Sequence, residues 1–191
     1  EDPGIYIDTI QADSAHAGPR NATIYFDGLD NGNYYLDTAS FDTTATISPK
    51  DATIRISSPS DKTYGSAITF AGSEYTSSGL LDDDTFTFTI TSDGAAANAH
   101  VIGSPYVVTA DKTTAVATGY ANASDYNFTI NNGSLTVVAK DATIQISSPS
   151  DKTYGSEITF AGSEYTQSGL LDGDTFTFTI TSDGAAANAH V

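Results

Sequence analysis

The sequence predicts an all-β protein made of tandem small β-sandwich modules in a rod-like array. Three observations carry that prediction. A 51-residue stretch is written twice, at 51–101 and 141–191, with only four differences between the copies. Each copy contains an unbroken alternation of Phe or Ile with Thr, the period-two pattern of a half-buried strand. No segment has the length of a stable helix. The nearest, Gly94-Ala95-Ala96-Ala97-Asn98-Ala99-His100, is too short to hold alone, so one turn or none is expected there.

Identity at a fixed period of 90 residues is the mark of tandem modules and outranks any local motif. The four differences, Arg55/Gln145, Ala67/Glu157, Ser77/Gln167 and Asp83/Gly173, fall where a polar face or a loop is expected, so the apolar pattern is unchanged. The first 50 residues follow the scheme more loosely. "PGIYIDTIQAD" near the start is similar to "GSPYVVTAD" at 103–111, and "SPKDATI" at 48–54 parallels "VAKDATI" at 138–144. The chain is therefore divided into 1–50, the second half of a diverged preceding repeat; 51–140, a complete repeat; and 141–191, the first half of the next. A structural cut into 1–101 and 102–191 is the alternative. On the first division the ends of the sequence would not be the ends of repeats.

Within a repeat the clearest strand is Thr85-Phe86-Thr87-Phe88-Thr89-Ile90-Thr91, with its twin at 175–181. Tyr106-Val107-Val108-Thr109 and Ile144-Gln145-Ile146 read as further short strands. Tyr126-Asn127-Phe128-Thr129-Ile130 alternates likewise, and Asn132-Gly133 before Leu135-Thr136-Val137 is a hairpin signal. Turns are expected at Ser58-Pro59-Ser60-Asp61, Ser78-Gly79 and Asp93-Gly94. Roughly seven strands per repeat suffice for one small sandwich.

Composition narrows the function classes. There is no Cys, which removes disulfides, thiol catalysis and thiolate-bound metal. Lys and Arg number 7 against 24 Asp and Glu, a net charge of -17, and such a field repels nucleic acid and anionic membranes. No stretch approaches 18 apolar residues, so this segment predicts no membrane insertion, and any signal peptide or anchor is expected outside it.

Tyr64-Gly65, then Ser78-Gly79-Leu80 with Asp82-x-Asp84-Thr85, then Gly103-x-Pro105-Tyr106, then the run from Asp125-Tyr126 to Gly133-Ser134-Leu135-Thr136-Val137 stand in one order within the period. That order resembles the MBG-type repeats of bacterial surface and adhesin proteins, which carry a YG, an SGL-x-x-GDT, a G-x-Y and a GTLTV motif. The second copy keeps the GDT as Gly173-Asp174-Thr175, whereas the first has Asp83-Asp84-Thr85. The Pro that often follows YG in those repeats is absent. The resemblance implies immunoglobulin-like or β-grasp-related modules, an extracellular cell-surface location, a stalk-like or adhesive role and no catalytic activity.

Several residues are candidate sites. Asp82, Asp83 and Asp84 crowd one turn, and Asp172 and Asp174 repeat it. Calcium takes six to eight oxygens, and carboxylates on turns between modules would supply them and stiffen the joint; the competing reading is Asp as a turn former. No cofactor other than calcium is indicated. Asn21, Asn122, Asn127 and Asn132 head N-x-S/T acceptors, which would make a secreted form a glycoprotein. His16, His100 and His190 have no metal-binding spacing, and His100 is expected to cap the Ala turn. Lys62 and Lys152 are expected to be exposed in turns, against an isopeptide cross-link. Tyr25, Tyr34, Tyr35, Tyr75 and Tyr120 are expected to pack rather than line a sugar-binding face.

These observations favour a structural, non-catalytic stalk or filament-forming repeat whose partners are neighbouring repeats or identical subunits, joined by strand addition. The alternative is an adhesin module recognising a surface glycan or host protein. An enzyme would need a nucleophile–base pair or paired carboxylates in a cleft, and no such set stands out.

Overall fold

A computed structural model describes residues 6–27, 37–81 and 83–190. Its strands are β1 (Tyr6–Ala12), β2 (Gly18–Asp27), β3 (Ser40–Ile47), β4 (Lys50–Ile56), β5 (Lys62–Thr63), β6 (Tyr75–Ser78), β7 (Thr85–Thr91), β8 (Tyr106–Thr118), β9 (Tyr126–Asn131), β10 (Gly133–Leu135), β11 (Val137–Val138), β12 (Thr143–Ile146) and β13 (Tyr165–Ser168). Among the described residues the helical content is two 3-10 turns, Val101–Gly103 and Ala123–Asp125. The protein is all-β.

Residues 50–138 carry the main core. Two three-stranded sheets, β6-β4-β9 and β10-β8-β7, supply its side chains, and β5 pairs with β11 beside them. The period-two pattern is realised as read: Ala52, Ile54 and Ile56 of β4, and Phe86, Phe88 and Ile90 of β7, all point inward. They meet Val108, Ala110, Tyr126 and Leu135 in one cluster. The rings pack edge to face, Phe86 on Phe128 at 5.0 Å and Phe88 on Tyr75 at 5.4 Å, the arrangement the ring quadrupoles favour.

The topology gives this unit two ends. β4 runs parallel to β9, with Lys50 opposite Tyr126 and Arg55 opposite Asn131. The chain therefore enters beside Tyr126. It leaves at the other end, where the Val138 carbonyl accepts the Tyr64 amide.

Asn132-Gly133 does not close a hairpin. β9 pairs with β4, whereas β10 pairs with β8, so the dipeptide carries the chain from one sheet to the other. Gly133 fits this crossing closely: a Cβ there would sit 3.1 Å from the Ser57 carbonyl oxygen, which would have to give way by a few tenths of an ångström. β8 is also longer than the four residues expected, because β7 and β10 pair with different parts of it.

The second copy corrects a larger expectation. β12 and β13 pair as β4 and β6 do, but 175–181 is in no sheet, although its sequence equals that of β7. The reason is the missing neighbour: β7 is held by β8, and no described residue offers 175–181 an equivalent strand. Phe86 is 4% exposed and its twin Phe176 52%; Ile56 is 4% exposed and Ile146 54%.

The N-terminal strands form an antiparallel meander, β1-β2-β3. Ile10, Ile24 and Phe41 are direct cross-strand neighbours, and a bulge after Ile7 brings Ile7 opposite Phe26 on the same face. Phe26 and Phe41 meet edge-on at 5.7 Å. Thr23, Asp42, Thr44 and Thr46 alternate onto the other face, so this sheet is amphipathic.

Candidate functional site: the two ends of the 50–138 core

The chemistry-bearing residues gather at the two ends of the 50–138 unit. At the entry end, Asp125 sits at the close of the 3-10 turn that precedes β9. Its carboxylate accepts the Asn122 amide at 2.9 Å, the Ala17 amide at 2.7 Å and the His16 ring Nδ1 at 2.6 Å. Burial pushes the Asp125 carboxyl up, but the hydrogen bonds from Ala17, Asn122 and His16 outweigh it and hold the group below its ordinary value. Arg20 closes the same turn, donating from Nε to the His16 carbonyl at 2.8 Å and from its guanidinium to the Ala17 carbonyl at 2.6 Å. A cleft of about 300 Å³, lined among others by His16, Lys50, Leu81, Tyr120 and Asp125, lies in the angle between the two segments. Asp125→Ala should raise hydrogen exchange at the Ala17 amide about ten-fold or more, leaving the Ile54 and Val108 amides unchanged. Unaltered exchange at Ala17 would show that the joint is held elsewhere.

At the exit end the second copy docks. Tyr64 donates its hydroxyl to Asp174 at 3.2 Å, and Leu171 packs so closely on Gly65 that a Cβ at Gly65 would lie 2.6 Å from it. Burial, then the Asp174 contact, raises the Tyr64 phenol above its ordinary value. Equivalent repeat positions line clefts at both ends. Leu81 and Asp84 line the entry cleft, and Leu171 and Asp174 line a smaller one of about 120 Å³ at the exit.

The acidic candidates divide accordingly. Asp82 lies outside the described residues. Asp84 accepts the Tyr126 hydroxyl, Asp174 accepts that of Tyr64, and Asp83 and Asp172 are exposed. Among the described residues no three His, Asp or Glu side chains stand close enough to hold a metal ion. All four acceptor asparagines are exposed: Asn21 and Asn127 donate to Asp13 and Asp51, Asn132 accepts from Thr109, and Asn122 begins the 3-10 turn.

Other expectations change. Lys62 is buried at 4% exposure, with Nζ donating to the Ser66 and Ala96 carbonyls, and Lys152 makes the same bonds in the more open second copy. Burial pulls the Lys62 ammonium below the ordinary lysine range. The fold closes around its four-carbon stem and leaves only carbonyls for the charge, which turn residues alone do not reveal. The His100 ring makes no capping hydrogen bond and stacks on Tyr64 at 6.0 Å, as His190 does on Tyr154 at 5.9 Å. Tyr75 packs as expected; Tyr120 is 97% exposed, and Tyr34 and Tyr35 lie outside the described residues.

Glu74 ties down the loop before β6, its carboxylate accepting the amides of Ala71, Gly72 and Ser73 at 2.6–3.0 Å; Glu164 repeats this. The Ala71 amide is the main reason that the Glu74 carboxyl falls below its ordinary 4.5, against a smaller upward push from burial. A carboxyl depressed on folding stabilises fully above 4.5 and loses that contribution as the pH falls through the lowered value. Glu74→Gln should therefore lower the urea midpoint at neutral pH and flatten its acid decline. An unchanged acid limb would refute the role.

No helix among the described residues is long and apolar enough to cross a membrane. Compared with known families, with curated proteins and with solved structures, the chain matches none.

Proposed function

We propose that this chain is a structural, non-catalytic segment of an extracellular cell-surface protein. In this reading near-identical small β-sandwich units, joined end to end in a rod-like array, set the length and stiffness of a stalk or filament. One observation carries it: the two copies keep every inward-facing residue of the core, and the four positions at which they differ are exposed in the first copy. Variation confined to the outside is what repetition of a spacer leaves behind. A recognition surface would instead be expected to diversify between copies. The re-use of one Leu-x-x-Asp pair at both joints supports the same reading, as does the order of motifs similar to MBG-type repeats. The acidic surface keeps crowded copies apart in solution.

Immunogold electron microscopy of the native source tests this. Label along beaded rods or fibres at the cell surface, with a spacing of one unit, is the expected result. Label confined to the cell interior would overturn it.

A further inference from the structure

β7 ends its sheet, in the order β10-β8-β7, so among the described residues no strand pairs with its outer edge. The Thr89 amide points towards β8, donating to the Thr114 hydroxyl at 3.0 Å. Alternation along an antiparallel strand then turns the backbone groups of Phe86, Phe88 and Ile90 to the outer edge. That edge is a hazard. It runs along Thr-Phe-Thr-Phe-Thr-Ile-Thr, which has no charge, Pro or Gly and is β-branched or aromatic throughout, and the chain writes the run twice.

A loop of the same unit covers it. The Phe86 carbonyl accepts the Tyr75 hydroxyl, and the Tyr75 ring stands edge-on to Phe88 at 5.4 Å. Two residues along β7, Gly72 lies against the Phe88 carbonyl. A Cβ at Gly72 would sit 3.3 Å from that oxygen, and its φ of +83° is one that other residues rarely adopt. The Glu74 carboxylate, by holding the amides of Ala71, Gly72 and Ser73, fixes the loop in this position. Successive outward carbonyls of β7 are thus blocked. The arrangement is no by-product of the β7–β8 ladder. In the second copy 175–181 is in no sheet, yet Tyr165 donates to the Phe176 carbonyl at 2.8 Å and Glu164 makes the same three bonds. There Gln167, which stands where the first copy has Ser77, also accepts the Phe176 amide at 3.3 Å.

We propose that 71–75 is an edge guard: Tyr75 and Gly72 withhold the outer edge of β7 from strand addition by the same Thr-Phe strand of a second copy of this chain. An incoming strand must bring amides to the Phe86 and Phe88 carbonyls, where the hydroxyl and the loop backbone already stand. Near-identical units are the neighbours most able to mispair in this way, since a strand that fits one β7 fits them all. Strand addition between units, if it occurs, must use a different edge. The inference goes beyond the stalk reading and holds wherever the protein is located.

The probe is a synthetic peptide of residues 82–93, added to the full 191-residue chain in about 0.15 M salt, which screens the acidic repulsion. Amide exchange is the readout. In the wild type the peptide should leave exchange at Phe88 and Ile90 unchanged. In a chain carrying Tyr75→Phe and Gly72→Ala it should slow exchange at those two amides at least about five-fold, because the added strand bonds them. Loss of packing alone has the opposite sign, since it speeds exchange. Ile54→Val loosens the core but leaves the loop intact, so the peptide should not protect Phe88 there. Unchanged exchange at Val108 verifies that the unit of the double variant is folded; should it unfold, Tyr75→Phe alone is read in its place. A wild type whose Phe88 the peptide protects, a guard variant that it leaves unprotected, or equal protection in Ile54→Val overturns the proposal. These readouts do not depend on where the protein sits in the cell, so the guard and the surface labelling stand or fall separately.

Discussion

Phe86→Ala will destabilise the 50–138 unit by about 3–5 kcal/mol, while Phe176→Ala, the same substitution in the same local sequence, will cost less than about 0.5 kcal/mol in the dilute monomer. Phe86 lies inside a cage of Tyr126, Phe128 and Phe88, and removing its ring leaves a cavity that β8 and β9 cannot collapse into without breaking their ladders. Phe176 faces outward at 52% exposure, so its truncation removes little that was withdrawn from water. The measurement is urea unfolding of each variant, with amide exchange at Ile54 and Val108 reporting on the unit and exchange across β12–β13 on the second copy. Equal costs would mean that 141–190 is packed in the dilute monomer as fully as 51–100.

The second large effect is at Gly79. Its φ of +85° lies in the left-handed region, and a Cβ there would stand 2.7 Å from the Asp51 carbonyl oxygen. Backbone strain of this kind costs roughly 1–3 kcal/mol, and the clash with β4 adds to it. Gly79→Ala is thus expected to lower the urea midpoint substantially and to loosen the β4–β6 pairing first, where Thr53 faces Ser78. A midpoint within error of wild type would show that the turn after β6 can shift away from β4. Sequence inspection marked Ser78-Gly79 as a turn; the close approach to β4 is what makes the glycine indispensable.

Much of the fold was legible because it depends on alternation. Thr-Phe-Thr-Phe-Thr-Ile-Thr declares which side chains face inward whatever the neighbours are, and in β7 they do. Whether such a strand finds a sheet is a different matter, since pairing needs a second segment at the right place. This is why an identical run is β7 in one copy and unpaired at 175–181 in the other. The Asn-Gly signal failed for a related reason. It reports a short connection, but two sheets sharing a core can use that connection as a crossing. The joints were only half legible. The repeat placed Asp84 and Asp174 at equivalent turns, yet His16 and Asp125 stand 109 positions apart in regions with no common motif. The signal that remained was the Asp-Tyr at 125–126 opening β9, where a carboxylate before a strand invites a backbone amide. Lys62 is buried because the Ser66 and Ala96 carbonyls close on its ammonium, and the sequence describes only the turn around it.

The entry of the chain beside Tyr126 and its exit beside Val138 have a mechanical consequence. If tension is applied through residues 50 and 138, β4 is dragged along β9 in the direction of both strands, and their parallel hydrogen bonds are loaded together instead of being unzipped one at a time. The short β5–β11 pair lies beside the point of exit and adds a second parallel clamp. A unit stitched in this manner is expected to resist stretching along its length better than tearing across it.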